Sequence, residues 1–322
     1  MQAASKLPVT VITGFLGAGK TTLLNRILSE DHGKKYAVII NEFGEEGIDN
    51  DLVVDSDEEI FEMNNGCICC TVRGDLIRII NTLLKRDDKL DGMIIETTGL
   101  ADPAPVVQTF FVDDDVKEQV VLDAVITVVD ALHCLQTLQD SHESEEQIAF
   151  ADTILLNKTD LVSSADLSKV KARVVSLNPF AKIFETTGSQ VALDKVLDCG
   201  AFDLSRILEI EPSLLTEEDD HEHDKSITSV SLKTSRPLIP EKFSNWIRGF
   251  IMERGVDVLR SKGILNLSEQ ENRYVFQGVH MVMDSAWGAP WGDDSRESRL
   301  VFIGRNLDEK QLQREFMLCA QP

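Results

Sequence analysis

The sequence has no long hydrophobic run and few residues of positive charge. No uninterrupted apolar stretch approaches the roughly 20 residues that a membrane-spanning helix needs, and Met1 to Leu7 shows no targeting pattern. Against 55 acidic residues there are only 32 basic ones, which gives a formal net charge of -23. Such a chain repels the phosphate backbone of nucleic acids. We therefore expect a cytoplasmic protein that binds neither membranes nor nucleic acid.

Cysteine is also scarce, with six in 322 residues. In a cytosolic chain, cysteines are more typical of metal binding or redox chemistry than of structural disulfides. The composition, 43% hydrophobic and 27% charged, is that of a globular protein and excludes disordered and collagen-like chains. The length predicts about two domains. Residues 1–224 carry a net charge of -25 and residues 225–322 one of +2, which indicates a boundary near residues 210–225.

The first two-thirds of the chain alternates short apolar runs with helical patterns. Continuous apolar runs of this kind are typical of strands buried in a parallel sheet; they are Val9–Thr13, Tyr36–Asn41, Gly92–Glu96, Asp123–Val129 and Thr153–Leu156. Between them, Asp75–Arg86 has an apolar face with helical spacing. The alternation predicts an α/β fold with a doubly wound, mainly parallel sheet and a ligand site at the carboxyl ends of its strands.

The pattern changes after Phe202, where Glu217–Asp224 is a charge run typical of a solvated linker. The sequence then predicts a smaller α+β domain with an antiparallel sheet. Its elements are a strand at Ile227–Leu232, a helix after Pro240, strands near Val258, Tyr274 and Leu300, and a helix at Asp308–Leu318. We expect domains at 1–210 and 226–322, joined by an acidic linker at 211–225.

A glycine-rich segment follows the first predicted strand and opens a helix. It matches G-x-x-x-x-G-K-[ST] without a mismatch, the phosphate-binding loop of P-loop enzymes, in which backbone N–H groups surround phosphate oxygens. Lys20 is expected to reach the β- and γ-phosphates, and the Thr21 hydroxyl to hold Mg²⁺. The predicted phosphate-binding residues are Gly14, Phe15, Leu16, Gly17, Ala18, Gly19, Lys20, Thr21 and Thr22.

Two further strand ends extend this site. Glu96 ends an apolar strand at the position where P-loop enzymes make a second magnesium contact, and the backbone N–H of Gly99 is expected to face the γ-phosphate. The segment N-K-T-D contributes Asn157, Lys158 and Asp160. A carboxylate at Asp160 can accept both guanine N1–H and N2–H₂, a pairing that adenine cannot reciprocate. The sequence thus predicts GTP as the nucleotide, with Lys20, Thr21, Glu96 and Gly99 serving hydrolysis.

Three of the six cysteines, Cys67, Cys69 and Cys70, fall within four residues. Three thiolates form a soft site suited to Zn²⁺ or Cu(I), with Co²⁺ as a further candidate. Two alternatives are open: Cys67 and Cys70 have the C-x-x-C spacing of a redox pair, and the thiols could be inert packing. Glu42 is a candidate fourth ligand, although the stretch Asn41–Asp49 could equally be a solvated acidic loop. For His221 and His223 in the linker, ordinary solvation is favoured over metal capture.

With these motifs in hand, the chain resembles the CobW-like GTPases of the P-loop group that includes the urease and hydrogenase metal-insertion chaperones. The resemblance rests on G-F-L-G-A-G-K-T-T, N-E-F-G-E-E-G-I-D, G-C-I-C-C, E-T-T-G-L-A-D-P, L-N-K-T-D and Q-G-V-H-M. It implies GTP hydrolysis coupled to delivery of a transition metal, most often zinc, to a client metalloprotein. A homo-oligomer is compatible with this expectation. The alternative functions are a GTP-gated metal sensor or buffer without a client, and a redox-regulated GTPase.

Overall fold

The structure is a computed structural model that describes residues 6–42, 59–64, 71–85, 89–201 and 227–322. The chain divides into two compact units. The first is Met1–Arg173 with Ala181–Gly200, and the second is Val174–Phe180 with Ala201–Pro322. The predicted linker at 211–225, with its charge run Glu217–Asp224 and both of its histidines, lies outside the described residues, so the predicted domain boundaries stay predictions.

The first unit is built on a parallel sheet of seven strands. They are β1 (Leu7–Thr13), β2 (Tyr36–Glu42), β3 (Glu59–Asn64), β4 (Gly92–Glu96), β5 (Val120–Asp130), β6 (Thr153–Asn157) and β7 (Lys182–Glu185). Their order is β3-β2-β4-β1-β5-β6-β7, and every neighbouring pair is parallel. All residues of β4 and β6 are buried, as continuous apolar runs require. The predicted α/β fold with a mainly parallel sheet is confirmed.

In the described residues, seven helices lie between these strands in the chain. They are α1 (Lys20–Ser29), α2 (Thr71–Leu84), α3 (Ala104–Val112), α4 (Asp114–Gln119), α5 (Cys134–Asp140), α6 (His142–Phe150) and α7 (Ser164–Leu177). Helix α2 buries Leu76, Ile80 and Leu83, three members of the apolar face that predicted a helix there. It begins at Thr71, four residues before the predicted start at Asp75. The prediction rested on the apolar face, and that face does not mark the first turn of the helix. The side chain of Ser141 accepts a hydrogen bond from the Ser144 N–H and caps α6.

Strands β3 and β7 were not predicted. Both lie at the edges of the sheet, where a strand has a neighbour on one side alone. Neither contains the continuous apolar run that marks the interior strands; β7 reads K-I-F-E and is polar at both ends. An edge strand forms because its backbone can pair with the strand beside it. Its own side chains therefore give only a weak sequence pattern from which to predict it.

In residues 227–322, the second unit has a five-stranded antiparallel sheet and two helices. Its elements are β8 (Thr228–Thr234), α8 (Pro240–Arg254), β9 (Val258–Leu265), β10 (Asn272–Val279), β11 (Val282–Pro290), β12 (Ser298–Gly304) and α9 (Glu309–Leu318). The strand order is β11-β10-β9-β12-β8. Leu232 and Phe302 on the sheet share one buried cluster with Phe243 and Phe316 on the helices. The predicted α+β domain is confirmed, with β11 as an additional edge strand.

The final helix begins one residue after the predicted start at Asp308 and ends at the predicted residue, Leu318. Asp308 caps α9 by accepting a hydrogen bond from the Gln311 N–H at 2.9 Å, so it precedes the first helical residue. Of the helices in the described part of the chain, none combines the length and the apolar character that crossing a bilayer requires.

Candidate functional site

The predicted phosphate loop occupies residues 14–19, between the end of β1 and the start of α1. Three of its glycines, Gly14, Gly17 and Gly19, have φ angles of 135°, 71° and 113°, a region that side-chain-bearing residues rarely adopt. A Cβ added at Gly14 would lie 2.2 Å from the Val128 carbonyl oxygen, and one added at Gly19 would lie 2.5 Å from Asn157 Nδ2. Glycine is therefore required at both positions by backbone conformation and by space.

Lys20 is the first residue of α1, and its side chain returns over the loop. It is buried, and its Nζ donates a hydrogen bond to the Phe15 carbonyl oxygen at 3.4 Å. Ala18 is buried as well, whereas Leu16 at the tip of the loop is 57% exposed. Thr22, the last residue of the predicted set, is exposed one position beyond Thr21 on α1. An ammonium group held at a helix N-terminus is suited to polyanions such as phosphates.

Thr21 and Glu96 meet across the front of the sheet. Strand β4 lies beside β1 with Glu96 next to Ile12, so the carboxylate emerges next to the phosphate loop. The Thr21 hydroxyl donates a hydrogen bond to Glu96 Oε1 at 3.1 Å, and Glu96 is buried. A hydroxyl and a carboxylate are hard oxygen donors of the kind that Mg²⁺ prefers, so this pair fits the ion.

The segment after β4 lies against the phosphate loop. Thr97 donates its N–H to the Ile12 carbonyl oxygen at 2.9 Å and its hydroxyl to Thr13 Oγ1 at 2.8 Å. Two residues on, a Cβ added at Gly99 would lie 2.7 Å from the Leu16 backbone nitrogen. The two segments predicted to face the γ-phosphate are thus in direct contact.

Asn157 ties the phosphate loop to the segment after β7. It is 2% exposed, and its Nδ2 donates to the Ala18 carbonyl oxygen at 2.9 Å and to Ser189 Oγ at 3.2 Å. Its Oδ1 accepts from the Ser189 N–H at 2.9 Å and from the Thr186 hydroxyl at 3.1 Å. The side chain of Asn157 therefore joins these two loops rather than pointing to solvent.

Two other residues of the N-K-T-D segment are more exposed than Asn157: Lys158 is half-buried and Asp160 is exposed. Lys158 adopts a left-handed φ of 61°, and its Nζ lies 2.7 Å from Asp130 Oδ2, which also lies 3.0 Å from His133 Nδ1. Burial alone would raise the pKa of Asp130, but the hydrogen bonds from Lys158 and His133 and the charge of Lys158 outweigh it and lower the pKa. Asp160 sits in a 3-10 turn with its carboxylate exposed, where a planar base can reach it.

Sequence reasoning missed three contributors to this site: Ser189, Asp130 and Gln147. Ser189 donates its hydroxyl to the Gly19 carbonyl oxygen at 3.0 Å, and Gln147 of α6 binds the segment around Gly99. The sequence signal that could have located Ser189 is the pair of small residues Gly188–Ser189. In the structure this pair follows β7 and has left-handed φ angles of 56° and 54°. A cavity of about 380 Å³ opens beside the loop, lined in part by Phe15, Leu16, Val128, Asp130, His133 and Gln147.

The predicted metal ligands Cys67, Cys69 and Cys70 lie outside the described residues. Glu42 ends β2, but its side chain is not among the described parts of the structure. Residues 43–49 of the predicted loop lie outside the described residues. Within the described ranges no group of three or more candidate ligands could hold a metal ion.

The three described cysteines do not substitute for that cluster. Burial raises the pKa of the Cys134 and Cys199 thiols to about 12 and also raises the pKa of Cys319. They therefore remain protonated at neutral pH, whereas the thiolate is the form that binds metal.

A parallel sheet whose central strand runs through a glycine loop into a helix, with a hydroxyl–carboxylate pair beside the loop, defines a P-loop nucleotide-hydrolysing protein. The family models agree. Residues 8–185 match the CobW/HypB/UreG nucleotide-binding domain, and residues 227–320 match the cobalamin synthesis protein cobW C-terminal domain. The chain belongs to the CobW/HypB/UreG family.

Similar proteins cover almost the whole chain. The zinc chaperone YjiA of Escherichia coli is 35% identical over 96% of this chain and 98% of its own. Zinc-regulated GTPase metalloprotein activator 1 of Schizosaccharomyces pombe is 35% identical over 94% and 83%. The crystal structure of Zn(II)-bound YjiA GTPase from E. coli superimposes with a TM-score of 0.80 at 29% identity, covering 98% of this chain and all of that one. These findings confirm the predicted enzyme class, a GTPase.

Proposed function

We propose that this GTPase is a zinc metallochaperone, in which the state of the nucleotide controls a thiolate site and the ion passes to a client metalloprotein. The observation that carries the proposal is topological. Strand β3 ends at Asn64, which is paired with Glu42 at the end of β2. In a parallel sheet the carboxyl ends of all strands lie on the same side, and the phosphate loop follows the carboxyl end of β1. The C-I-C-C segment begins three residues after Asn64 in the sequence. A thiolate site formed by this segment would be suited to sense the nucleotide.

The nucleotide would be bound by two sets of residues. Gly14 to Thr22 would hold the phosphates through backbone N–H groups and the Lys20 ammonium, since the loop's glycines leave no side chain in the way. Asp160 would read guanine with its exposed carboxylate. Asn157 and Lys158 would support that reading, because the first orders the loops and the second is anchored to Asp130.

Hydrolysis would be phosphoryl transfer to water. Mg²⁺, held by Thr21 and Glu96, would neutralise charge on the phosphates when bound. Lys20 would offset the negative charge that develops on the γ-phosphate oxygens, and the Gly99 N–H would orient that group. Because these donors are already held in place, little reorganisation is needed when the reaction occurs.

The cargo is proposed from donor chemistry and from relatives. Cys67, Cys69 and Cys70, with Glu42 as fourth ligand, would give a sulfur-rich set that favours Zn²⁺ and also accepts Co²⁺. Relatives of this chain are named zinc chaperones, and one was crystallised with Zn(II). The partners would be GTP, a client apo-metalloprotein and, in some states, a second copy of the chain; the net charge of -23 disfavours nucleic acid.

The test is a transfer experiment. The protein is loaded with zinc, and the ion is followed by elemental analysis into an apo-metalloprotein and, separately, into a chelator of matched affinity, with GTP, GDP or no nucleotide. Faster transfer to the apo-protein than to the chelator, dependent on GTP hydrolysis, is expected of a chaperone. Equal rates would support the sensor or buffer, and a reversible disulfide without bound zinc would support the redox-regulated GTPase.

Two variants sharpen this experiment. Replacing Cys67, Cys69 and Cys70 by Ser is expected to abolish zinc loading. The matched control is Cys319→Ser, which changes a buried cysteine of the second unit whose thiol donates to the Glu315 carbonyl oxygen; it is expected to load zinc normally. Loss of zinc in both variants, or in neither, would contradict the assignment of the metal site.

A further inference from the structure

Gln147 on α6 holds the segment that follows β4. Its side chain is buried, and Nε2 donates one hydrogen bond to the Gly99 carbonyl oxygen at 3.1 Å and another to the Ala101 carbonyl oxygen at 3.2 Å. An amide nitrogen has two hydrogens, so both are used on this one segment. Gln147 is also anchored from behind, because its backbone carbonyl accepts the Thr127 hydroxyl at 2.7 Å. Gln147 thus connects β5, through its backbone carbonyl, to the segment at residues 97–101, through its side-chain amide.

These two bonds restrain the peptide planes on the far side of Gly99. On the near side, Thr97 is hydrogen-bonded to β1. Two further hydrogen bonds close a turn across Gly99: the Leu100 N–H donates to Thr98 Oγ1 and the Ala101 N–H to the Thr98 carbonyl oxygen, both at 3.2 Å. Glycine is the residue with the most backbone freedom to lose. Without the Gln147 contacts, the turn that carries the Gly99 N–H would be freer to move relative to the phosphate loop, which lies within contact distance at Leu16.

We propose that Gln147 is a positioning residue for GTP hydrolysis, which aims the Gly99 N–H at the γ-phosphate by holding the carbonyl groups of Gly99 and Ala101. The inference rests on the proposed role of Gly99. Gln147 itself touches no nucleotide atom in this scheme and acts through the backbone. Its effect should therefore appear with GTP, which has a γ-phosphate, and be absent with GDP.

The experiment compares Gln147→Leu with the wild type and with Gln139→Leu, the same substitution at an exposed position of α5 that does not line the cavity beside the loop. Steady-state hydrolysis gives kcat and KM, and titration gives the affinities for GDP and for a non-hydrolysable GTP analogue. We expect kcat and the affinity for the analogue each to fall about tenfold in Gln147→Leu, equivalent to about 1.4 kcal/mol. GDP affinity should stay within twofold, and Gln139→Leu should match the wild type throughout.

A second variant and a second measurement guard against misfolding. Gln147→Asn keeps the amide but is one methylene shorter, so it cannot span both carbonyl groups, and an intermediate loss of kcat is expected. Hydrogen exchange at residues 99–101 should accelerate in both variants.

Parallel losses of GDP affinity and of thermal midpoint would mean a structural role and overturn the inference, as would unchanged hydrolysis in both variants. Failure of the proposed nucleotide site is a distinct result: the wild type would then show no preference for GTP and no dependence on Lys20.

Discussion

Asn157→Ala should weaken both the fold and nucleotide binding. The substitution removes four hydrogen bonds of 2.9 to 3.2 Å made by a side chain that is 2% exposed. The Thr186 and Ser189 hydroxyls can turn to other acceptors, but the Ala18 carbonyl and the Ser189 N–H are fixed backbone groups. A buried backbone group that loses its partner costs about 1–3 kcal/mol, so for these two groups we expect a loss of about 2–6 kcal/mol in the free energy of unfolding.

The assay is urea unfolding of the nucleotide-free protein, followed by GTP titration under conditions where the variant is folded. GTP affinity should fall because Ala18 belongs to the phosphate loop. The control is Asn178→Ala, another buried asparagine, whose side chain accepts from the Phe180 N–H; it should cost stability without the same loss of GTP affinity. A wild-type urea midpoint in Asn157→Ala, or equal GTP affinity in the two variants, would refute the reasoning.

The isosteric variant Asn157→Asp gives an independent check through pH. Its carboxylate keeps two acceptor contacts but sets an oxygen against the Ala18 carbonyl, and burial disfavours the ionised form. The pKa of the new carboxyl should therefore lie higher in the folded state than in the unfolded state. Stability relative to wild type should recover as the pH falls and decline as the pH rises through the folded-state pKa. A pH-independent difference from wild type between pH 5 and 8 would argue against close contact with the Ala18 carbonyl.

Three further predictions concern ligands. Lys20→Ala should abolish tight GTP binding while leaving the thermal midpoint within a few degrees of wild type; wild-type affinity for a fluorescent GTP analogue would refute the assignment. Asp160→Asn should shift hydrolysis from GTP towards XTP, since an amide donor complements the extra carbonyl of xanthine; an unchanged preference would mean that this residue does not read the base. GTP and zinc should each change the protein's affinity for the other by the same factor, roughly 5- to 150-fold for a typical coupling of ~1–3 kcal/mol. Competition with a chromophoric chelator measures the zinc affinity, and equal zinc affinity in every nucleotide state would mean that the metal site does not respond to the nucleotide.

The sequence by itself determined the layers of the fold and the position of the glycine loop before α1. Interior strands such as β4 and β6 are apolar throughout because both faces are covered, so their composition is sufficient to locate them. The phosphate loop was predictable for a related reason: its backbone geometry tolerates few residues, and Gly14 and Gly19 are among the positions where any side chain would collide.

The tertiary structure alone decided the edges of the sheets and the connections between loops. Strands β3, β7 and β11 depend on a neighbour for their pairing, so their own residues carry little of the information. The same holds in the site. Asn157 is close to Ser189, and Gln147 to Gly99, at separations of 32 and 48 residues. A hydrogen bond between such residues leaves no pattern in a single sequence, because it depends on where the folded chain brings the two groups together.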